Sequence, residues 1–322
     1  SGRFALLINP TSCEAAIRPG GFAFCALRTM AKLSKAWHKT LIQCSFDSVL
    51  DDAIERSPVP IMPWITHRLD PDLLSLMLRL GLKRTIRAGN LLFGHSEKID
   101  ELIVVRRGIT ARSMGNLDGR AIGLATPGRI AAGNLNFFSG RHAIGRYFAI
   151  TDCELCVCPR SLLLSVLESE PRLFKICAVQ FECCVLSDRL SFACLSLLDG
   201  RERLQAFLAT WAVNYGQMLE DEDGSRWIRM PVPTTIQTQS QIVNTTLNWV
   251  DRILHHWRKR GLWRRKGEWI FVSPIVLEEA YRWMRSLEEG DNLFHYPSSL
   301  SALIESLHGG VSYVSGRCLQ AS

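Results

Sequence analysis

Residues 244–273 read NTTLNWVDRILHHWRKRGLWRRKGEWIFVS. Between positions 252 and 266 this stretch carries seven Lys or Arg and no acid, while its apolar residues recur at helical spacing. Those apolar residues are Val250, Ile253, Leu254 and Trp257. The pattern predicts an amphipathic helix with a cationic outer face.

After this helix the spacing of the apolar residues changes from that of a helix to that of short strands. WRRKGEWIFVS contains two short apolar or basic runs separated by a turn at Lys266 and Gly267, which predicts a basic β-hairpin. A helix followed by such a hairpin is the outline of a winged helix, whose helix can enter a major groove while the wing follows phosphates. A charge run is more often only a solvated face, but a single sign of charge that ends in a hairpin favours DNA contact.

Composition indicates an ordinary globular protein. The chain has 322 residues, of which 47% are hydrophobic and 21% charged, so it can bury ordinary cores and should hold more than one domain. No apolar run is long enough to cross a bilayer, and residues 1–30 lack the pattern of a signal peptide, so we expect a cytoplasmic protein with no membrane partner. The net charge of +7 is concentrated near residues 244–273, as a nucleic-acid footprint would be.

Cysteine is frequent but scattered. In a cytoplasmic chain of this length the spacing does not suggest a disulfide framework, and no Cys/His set has zinc-finger spacing, so no metal and no cofactor are expected. Packing as small buried hydrophobes is the favoured interpretation, and a redox or metal sensor is the alternative. The eleven are Cys13, Cys25, Cys44, Cys153, Cys156, Cys158, Cys177, Cys183, Cys184, Cys194 and Cys318.

Short apolar runs separated by turn residues follow a short helix near residues 70–80. They lie at 90–93, 102–105, 108–110, 121–124 and 146–157, a spacing that predicts an antiparallel roll or barrel. No nucleophile motif and no phosphate-binding glycine loop occurs there, so we do not expect an enzyme. Residues 1–69 carry no signature and are interpreted as an extension.

After Pro171 the pattern becomes one long helix with two apolar stripes on opposite faces. One face can cover the roll, and the other can pair with the same helix of a second subunit. A helix wholly buried within a monomer is the alternative. The residues predicted to hold a homodimer are Phe174, Cys177, Phe181, Val185, Phe192 and Leu195.

Residues 274–322 predict two more helices. The first begins at Ser273 and Pro274, and the second runs from Ser298 to Leu307. These helices either pack on the preceding domain, which is the commoner outcome, or make an added contact with the partner subunit or RNA polymerase.

Several segments together resemble the cyclic-AMP receptor protein and fumarate–nitrate regulator (CRP/FNR) family of bacterial transcription factors. The resemblance covers roughly residues 84–273 and is carried by IRAGNLLF, LIVVRRGIT, AAGNLNFF, TDCELCVCPRSLL, EPRLFKI, LDGRERL and QIVNTTLNWVDRIL, in that order. It implies an α+β protein with an N-terminal cyclic-nucleotide-binding-like β-roll, a long dimerisation helix and a C-terminal winged helix-turn-helix. The expected regions are 1–69 (extension), 70–172 (sensor roll), 173–200 (dimerisation helix), 201–273 (DNA-binding domain) and 274–322 (helical extension).

The resemblance places a DNA-reading helix at about residues 245–252. Asn248 could read adenine and Arg252 guanine, while Thr235, Thr246 and Lys266 suit phosphates. Gln239 of the preceding helix stands where the family generally has an apolar residue. The complete expected DNA-binding set is Thr235, Thr245, Thr246, Asn248, Trp249, Arg252 and Lys266.

The resemblance implies a changed effector pocket. Members that bind cyclic AMP have glutamate after a glycine, whereas here Asn134 follows Gly133, and the expected arginine position falls near Ala143 or Ile144. A small molecule other than cyclic AMP is therefore the expected effector. Its candidate ligands are Asn134, Arg141, Arg146, Asp188 and Arg189, although Asp188 and Arg189 could equally form an ion pair between helices.

These observations predict a homodimeric, sequence-specific DNA-binding transcription regulator with double-stranded DNA as its partner and an unknown small-molecule effector. A cysteine-based redox or metal-sensing regulator on the same scaffold is the alternative.

Overall fold

A computed structural model describes residues 60–114, 121–287, 296–308 and 312–313. All of them belong to one compact unit, Val49–Ser322. The expected extension before residue 60, and Cys13, Cys25, Cys44 and Cys318, lie outside the described residues. None of the described helices combines the length and apolarity that crossing a membrane requires.

The first part is a roll of two sheets. Its elements are β1 (Trp64–Ile65), α1 (Pro71–Leu80), β2 (Leu82–Ile86), β3 (Leu91–Phe93), β4 (Glu101–Arg107), β5 (Thr110–Met114), β6 (Ala121–Ala125), β7 (Ile130–Ala132), β8 (Gly145–Ala149) and β9 (Cys153–Pro159). The sheet orders are β1-β6-β5-β8-β3 and β2-β9-β4-β7. Residues such as Ile103, Tyr147 and Leu155 form the core of the roll. Strands occur at the marked runs 90–93, 102–105, 121–124 and 146–157, whereas only the last residue of the run 108–110 belongs to a strand.

Two helices, α2 (Arg160–Ser169) and α3 (Pro171–Leu197), follow the roll. Proline at the first position of α3 suits a helix start, since it has no N–H to leave unpaired. One face of α3 packs with α1 and α2 in a core that contains Leu73, Leu163 and Ile176. The helix covers most of the region 173–200 in which the two stripes predict it.

The last part has its own sheet with helices packed on it. Its elements are α4 (Gly200–Tyr215), β10 (Gln217–Glu220), β11 (Arg226–Pro231), α5 (Ile236–Ile242), α6 (Leu247–Lys259), β12 (Trp263–Lys266), β13 (Trp269–Val272), α7 (Pro274–Ser286), α8 (Leu300–His308) and β14 (Ser312–Tyr313). The sheet order is β12-β13-β11-β10-β14. Asp199 and Glu202 form a capping box that starts α4 immediately after α3 ends.

The C-terminal helices pack on this same part of the chain. Gln205 of α4 donates to Val276 O at 2.7 Å, and the His308 ring lies 2.9 Å from Val213 O. Leu277 and Ile304 are buried in the core that contains α4. Helices α7 and α8 therefore pack on this part of the chain, and an added contact with a partner subunit or RNA polymerase stays a prediction.

The expected boundary between the extension and the roll, at residue 69, lies earlier in the structure. Residues 62–69, which the sequence pattern assigns to the extension, are folded into the roll: Trp64 is fully buried, and β1 pairs in parallel with β6. A strand of two residues is too short to show a period of two, so the pattern missed it.

Candidate functional site

The helix pair α5 and α6 begins at two threonine caps. The Thr235 hydroxyl accepts from the Thr238 N–H at 3.1 Å, and the Thr246 hydroxyl accepts from the Trp249 N–H at 3.3 Å. Each cap satisfies a backbone donor that a helix start would leave unpaired. Two of the three residues expected to contact phosphate, Thr235 and Thr246, are thus fixed at helix N-termini, where the helix dipole favours an anion.

The polar character of α5 has a structural reason. Gln239 is buried, and its amide donates to Thr234 O at 3.0 Å. A buried polar side chain is tolerated where it has a hydrogen-bond partner. Gln239 therefore ties α5 to the turn before it, in a position where an apolar side chain would only fill space.

Helix α6 has the predicted two faces. Val250, Ile253, Leu254 and Trp257 are buried, whereas Asn248 and Arg252 are exposed. The two residues proposed to read bases therefore lie on the outward side of the helix.

The side chains of Trp249 and Thr245 also lie close to Gly200, where α4 begins. A Cβ added to Gly200 would lie 2.8 Å from Trp249 Nε1 and 3.4 Å from Thr245 Oγ1. Arg203 also donates to Asn244 O at 3.3 Å. The start of α6 is thus packed against the α3–α4 junction, a contact that sequence periodicity cannot reveal.

The hairpin turns one residue later than the sequence pattern predicts. Lys266 pairs with Trp269, so Gly267 and Glu268 form the turn, and Gly267 has a φ of 57°. Glycine adopts this left-handed conformation without steric cost. Lys266 is the last residue of β12 and is exposed beside the turn.

Arginines of this part stack on tryptophans. Arg264 lies 4.2 Å from the ring centre of Trp227, and Arg258 lies 5.1 Å from that of Trp263. Such stacking orients a guanidinium without neutralising it. The cations of residues 252–266 are therefore partly ordered by the fold.

The residues expected at the dimer interface divide into two groups. Phe174, Val185 and Phe192 are each 40% exposed on α3. Cys177 is fully buried, and Phe181 is 7% exposed.

This division corrects the predicted interface. Phe181 packs on Phe137 with ring centres 5.3 Å apart, and Leu195 packs against the core that contains α4. Cys177 and Phe181 are thus buried within the chain itself, whereas Leu195 is half-buried. The stripe drawn from the sequence crosses from the outward side of the helix to the inward side.

Inside the roll, Asp188 of α3 meets Arg112 of β5. Arg112 Nε donates to Asp188 at 3.1 Å, Nη2 donates to the same carboxylate, and Nη1 donates to Thr66 Oγ1 at 2.9 Å. Burial raises the pKa of Asp188, and the Arg112 guanidinium opposes that rise. The sequence pattern missed Arg112, although Asp188 within an apolar stripe signals that a buried partner exists.

The five expected effector ligands do not share one environment. Arg141 and Arg189 are exposed, Arg146 is half-buried, and Asn134 and Asp188 are buried. The Asn134 amide has no hydrogen-bond partner among the described residues. Asp188 bonds Arg112 of its own chain, which corrects the interhelical pair considered for Asp188 and Arg189.

A second buried polar group joins the roll to α4. Arg129 donates to Asn214 Oδ1 at 2.6 Å and to Tyr215 OH at 3.1 Å. His67 lies nearby, and its pKa is lowered to about 4 because burial disfavours the imidazolium and Arg129 adds repulsion. No sequence motif marks either residue.

The described cysteines are free and shielded. Burial raises the pKa of Cys158, Cys177, Cys184 and Cys194 to about 12, so these groups stay thiols. Across the part of the chain that the structure describes, no three His, Cys, Asp or Glu residues are arranged to hold a metal. These residues give the redox or metal-sensing alternative no support.

No known family model matches the sequence, and no curated protein matches it either. Solved structures do match. A double mutant of CooA from Carboxydothermus hydrogenoformans has a TM-score of 0.52 and 14% identity over 71% of this chain and 99% of that one. FixK2 from Bradyrhizobium japonicum has a TM-score of 0.49 and 16% identity over 60% and 92%.

A transcriptional regulator of the CRP family from Thermus thermophilus has a TM-score of 0.45 and 15% identity over 64% of this chain and 95% of that one. The many matches include further CRP/FNR regulators. The chain is thus similar in fold to the CooA mutant, and the CRP/FNR role stays an expectation from the sequence.

Proposed function

We propose that the protein is a homodimeric, sequence-specific DNA-binding transcription regulator whose α5, α6 and β12–β13 hairpin act as a winged helix-turn-helix. The observation that carries the proposal is the exposed cationic side of α6 beside a basic hairpin, on a rigid core of buried Val250, Ile253, Leu254 and Trp257. A protein that binds phosphates needs such a concentration of one sign of charge.

The contacts are divided between specificity and positioning. Asn248 and Arg252 are assigned to base edges in the major groove. Thr235, Thr246 and Lys266 are assigned to phosphates, which fix register without reading sequence. Thr245 and Trp249 are assigned to the edge of the interface, since both also contact the α3–α4 junction near Gly200.

Selection from a pool of random duplexes tests this function directly. The purified protein should enrich a palindrome whose half-sites lie about one helical turn apart, because a two-fold dimer presents two reading helices. Failure to enrich any sequence, with binding equally weak on all duplexes, would reject the proposal.

Arg252→Ala should weaken binding to the selected operator by roughly 1–3 kcal/mol and relax preference at one base pair in each half-site. The loss comes from a bidentate contact to guanine, so binding to scrambled duplex should change much less. Fluorescence anisotropy with operator and scrambled duplexes measures both. An equal loss on the two duplexes would show that Arg252 contacts only backbone.

Lys266→Ala should weaken operator and scrambled duplex about equally, with a salt slope shallower by about one per subunit. A flexible ammonium beside the wing turn can meet a phosphate but does not match a base edge. Isotherms at several salt concentrations give the slope. A change in base preference would contradict the assignment.

Val185→Glu combined with Phe192→Glu should convert the dimer to a monomer at micromolar concentration. Exposed positions 182, 185, 189, 192 and 196 of α3 recur at alternating three- and four-residue spacing, the seam of a helix pair. Light scattering gives the mass. Ile275→Glu, which alters an exposed apolar residue of α7, is the matched control and should leave the dimer intact.

A further inference from the structure

Residues 62–70, called the strap below, add an edge strand to the roll. Trp64 and Ile65 form β1, which pairs in parallel with β6 at the end of the five-stranded sheet. The Thr66 N–H continues the pairing by donating to Leu124 O at 2.8 Å. A peptide that binds a sheet edge does so in the same manner.

Helix α3 holds the other side of the strap. The Ser187 hydroxyl lies 2.7 Å from Met62 O and 3.0 Å from Ile65 O and shares its one proton between the two carbonyls. The Trp64 N–H donates to Ser191 Oγ at 2.7 Å. Both serines are fully buried, so these bonds have no competition from water.

Two further buried polar side chains of α3 also bond the strap, either directly or through Arg112. Gln180 Oε1 accepts from the Asp70 N–H at 3.1 Å, and Asp188 bonds the guanidinium of Arg112 that also donates to Thr66. A helix that packed on an apolar sheet would not need polar side chains here. Short irregular backbone needs donors and acceptors when buried, and this face of α3 supplies them.

Trp64 links the strap to α4. It is fully buried at a φ of 61°, a conformation that a non-glycine residue rarely adopts, and its ring meets the Phe207 ring edge-on at 6.1 Å. Such a backbone persists only where its surroundings determine it strongly. The strap therefore contacts the roll, the long helix and the first helix of the C-terminal part.

We propose that the strap is a built-in ligand of the cleft between β6 and α3, which lets the protein bind its operator without a small molecule. The resemblance places Asp188 at the effector, and that residue is engaged by Arg112, which also bonds the strap. In the structure the strap is in place and Asn248 and Arg252 are exposed, so the proposed state leaves the base-reading residues accessible to DNA. The inference rests on the proposed function and replaces the small-molecule effector with a segment of the chain.

Hydrogen exchange tests the strap without DNA. In Ser187→Ala combined with Ser191→Ala, the strap amides should exchange about tenfold faster, whereas the β4 amides keep their rate. Ser191→Ala alone should give a smaller change in the same direction, and Ser165→Ala, at an exposed position of α2, should give none. Strap and β4 amides that accelerate together in both serine variants would mean that the strap is an inseparable part of the core, which overturns the proposal.

Operator binding tests the consequence. Wild-type protein that is denatured, dialysed free of small molecules and refolded should bind the selected operator as tightly as natively purified protein, and the double serine variant about tenfold more weakly. Loss of binding on refolding that a native small-molecule extract restores would overturn the inference, as would unchanged affinity in the variants. Those results leave the DNA-binding function standing, whereas failure to select any operator rejects that function itself.

Discussion

Replacing Asp188 by alanine is expected to lower the free energy of unfolding by about 3–5 kcal/mol. The substitution leaves the Arg112 guanidinium buried beside the Thr66 hydroxyl, without the carboxylate that balances its charge. An unpaired buried charge costs far more than an ion pair contributes, because its lost hydration is not replaced. Urea denaturation at one fixed protomer concentration, followed by circular dichroism, measures the change.

The double variant Arg112→Met with Asp188→Leu separates charge from packing. It removes both charges together and should recover most of the lost stability, since apolar residues of similar volume often replace a buried pair at little cost. Glu168→Ala, which removes an exposed acid of α2, should change stability by less than about 0.5 kcal/mol. A loss in Asp188→Ala no larger than in Glu168→Ala would show that the buried pair does not form.

Acidification is expected to cost about 3 kcal/mol of stability through His67 alone. The folded-state pKa of His67 is about 4 against an ordinary value of 6.5. Between these values the unfolded chain binds a proton that the folded chain does not, so stability is complete above about pH 6.5 and falls as the pH drops toward 4. Urea midpoints measured across this interval give the slope.

His67→Gln should remove that part of the pH dependence. The groups that face His67 are Arg129, which disfavours its protonation, and Cys184, whose thiol bonds the His67 backbone. His255→Gln, at an exposed position of α6, is the control and should keep the wild-type slope. A slope that persists unchanged in His67→Gln would assign the acid sensitivity to other groups, such as paired carboxylates.

Helices and strands could be predicted from the sequence wherever the pattern that marks them lies within a few neighbouring residues. The two faces of α6, most strands of the roll, the length of α3 and the Pro274 start of α7 follow from apolar period and punctuation within a few residues. The cationic side of α6 is equally local, because charge and helical spacing occur in the same stretch. The DNA-binding hypothesis therefore needs no tertiary information.

The interior depended on contacts between distant residues, which local patterns do not encode. Trp64 and Ser191 are 127 positions apart, and Arg112 and Asp188 are 76 apart. The apolar spacing shows that Asp188 interrupts an apolar stripe. Only the tertiary structure shows that the Arg112 guanidinium is the hydrogen-bond partner of its carboxylate. Likewise, the apolar spacing along α3 predicts the same environment for Phe192 and Phe181. In the structure Phe192 is exposed, whereas Phe181 is buried against Phe137. The sequence alone determined where the longer helices and most strands form, because those depend on neighbouring residues, whereas tertiary structure decided the short edge strand β1, which faces are buried and which polar groups pair.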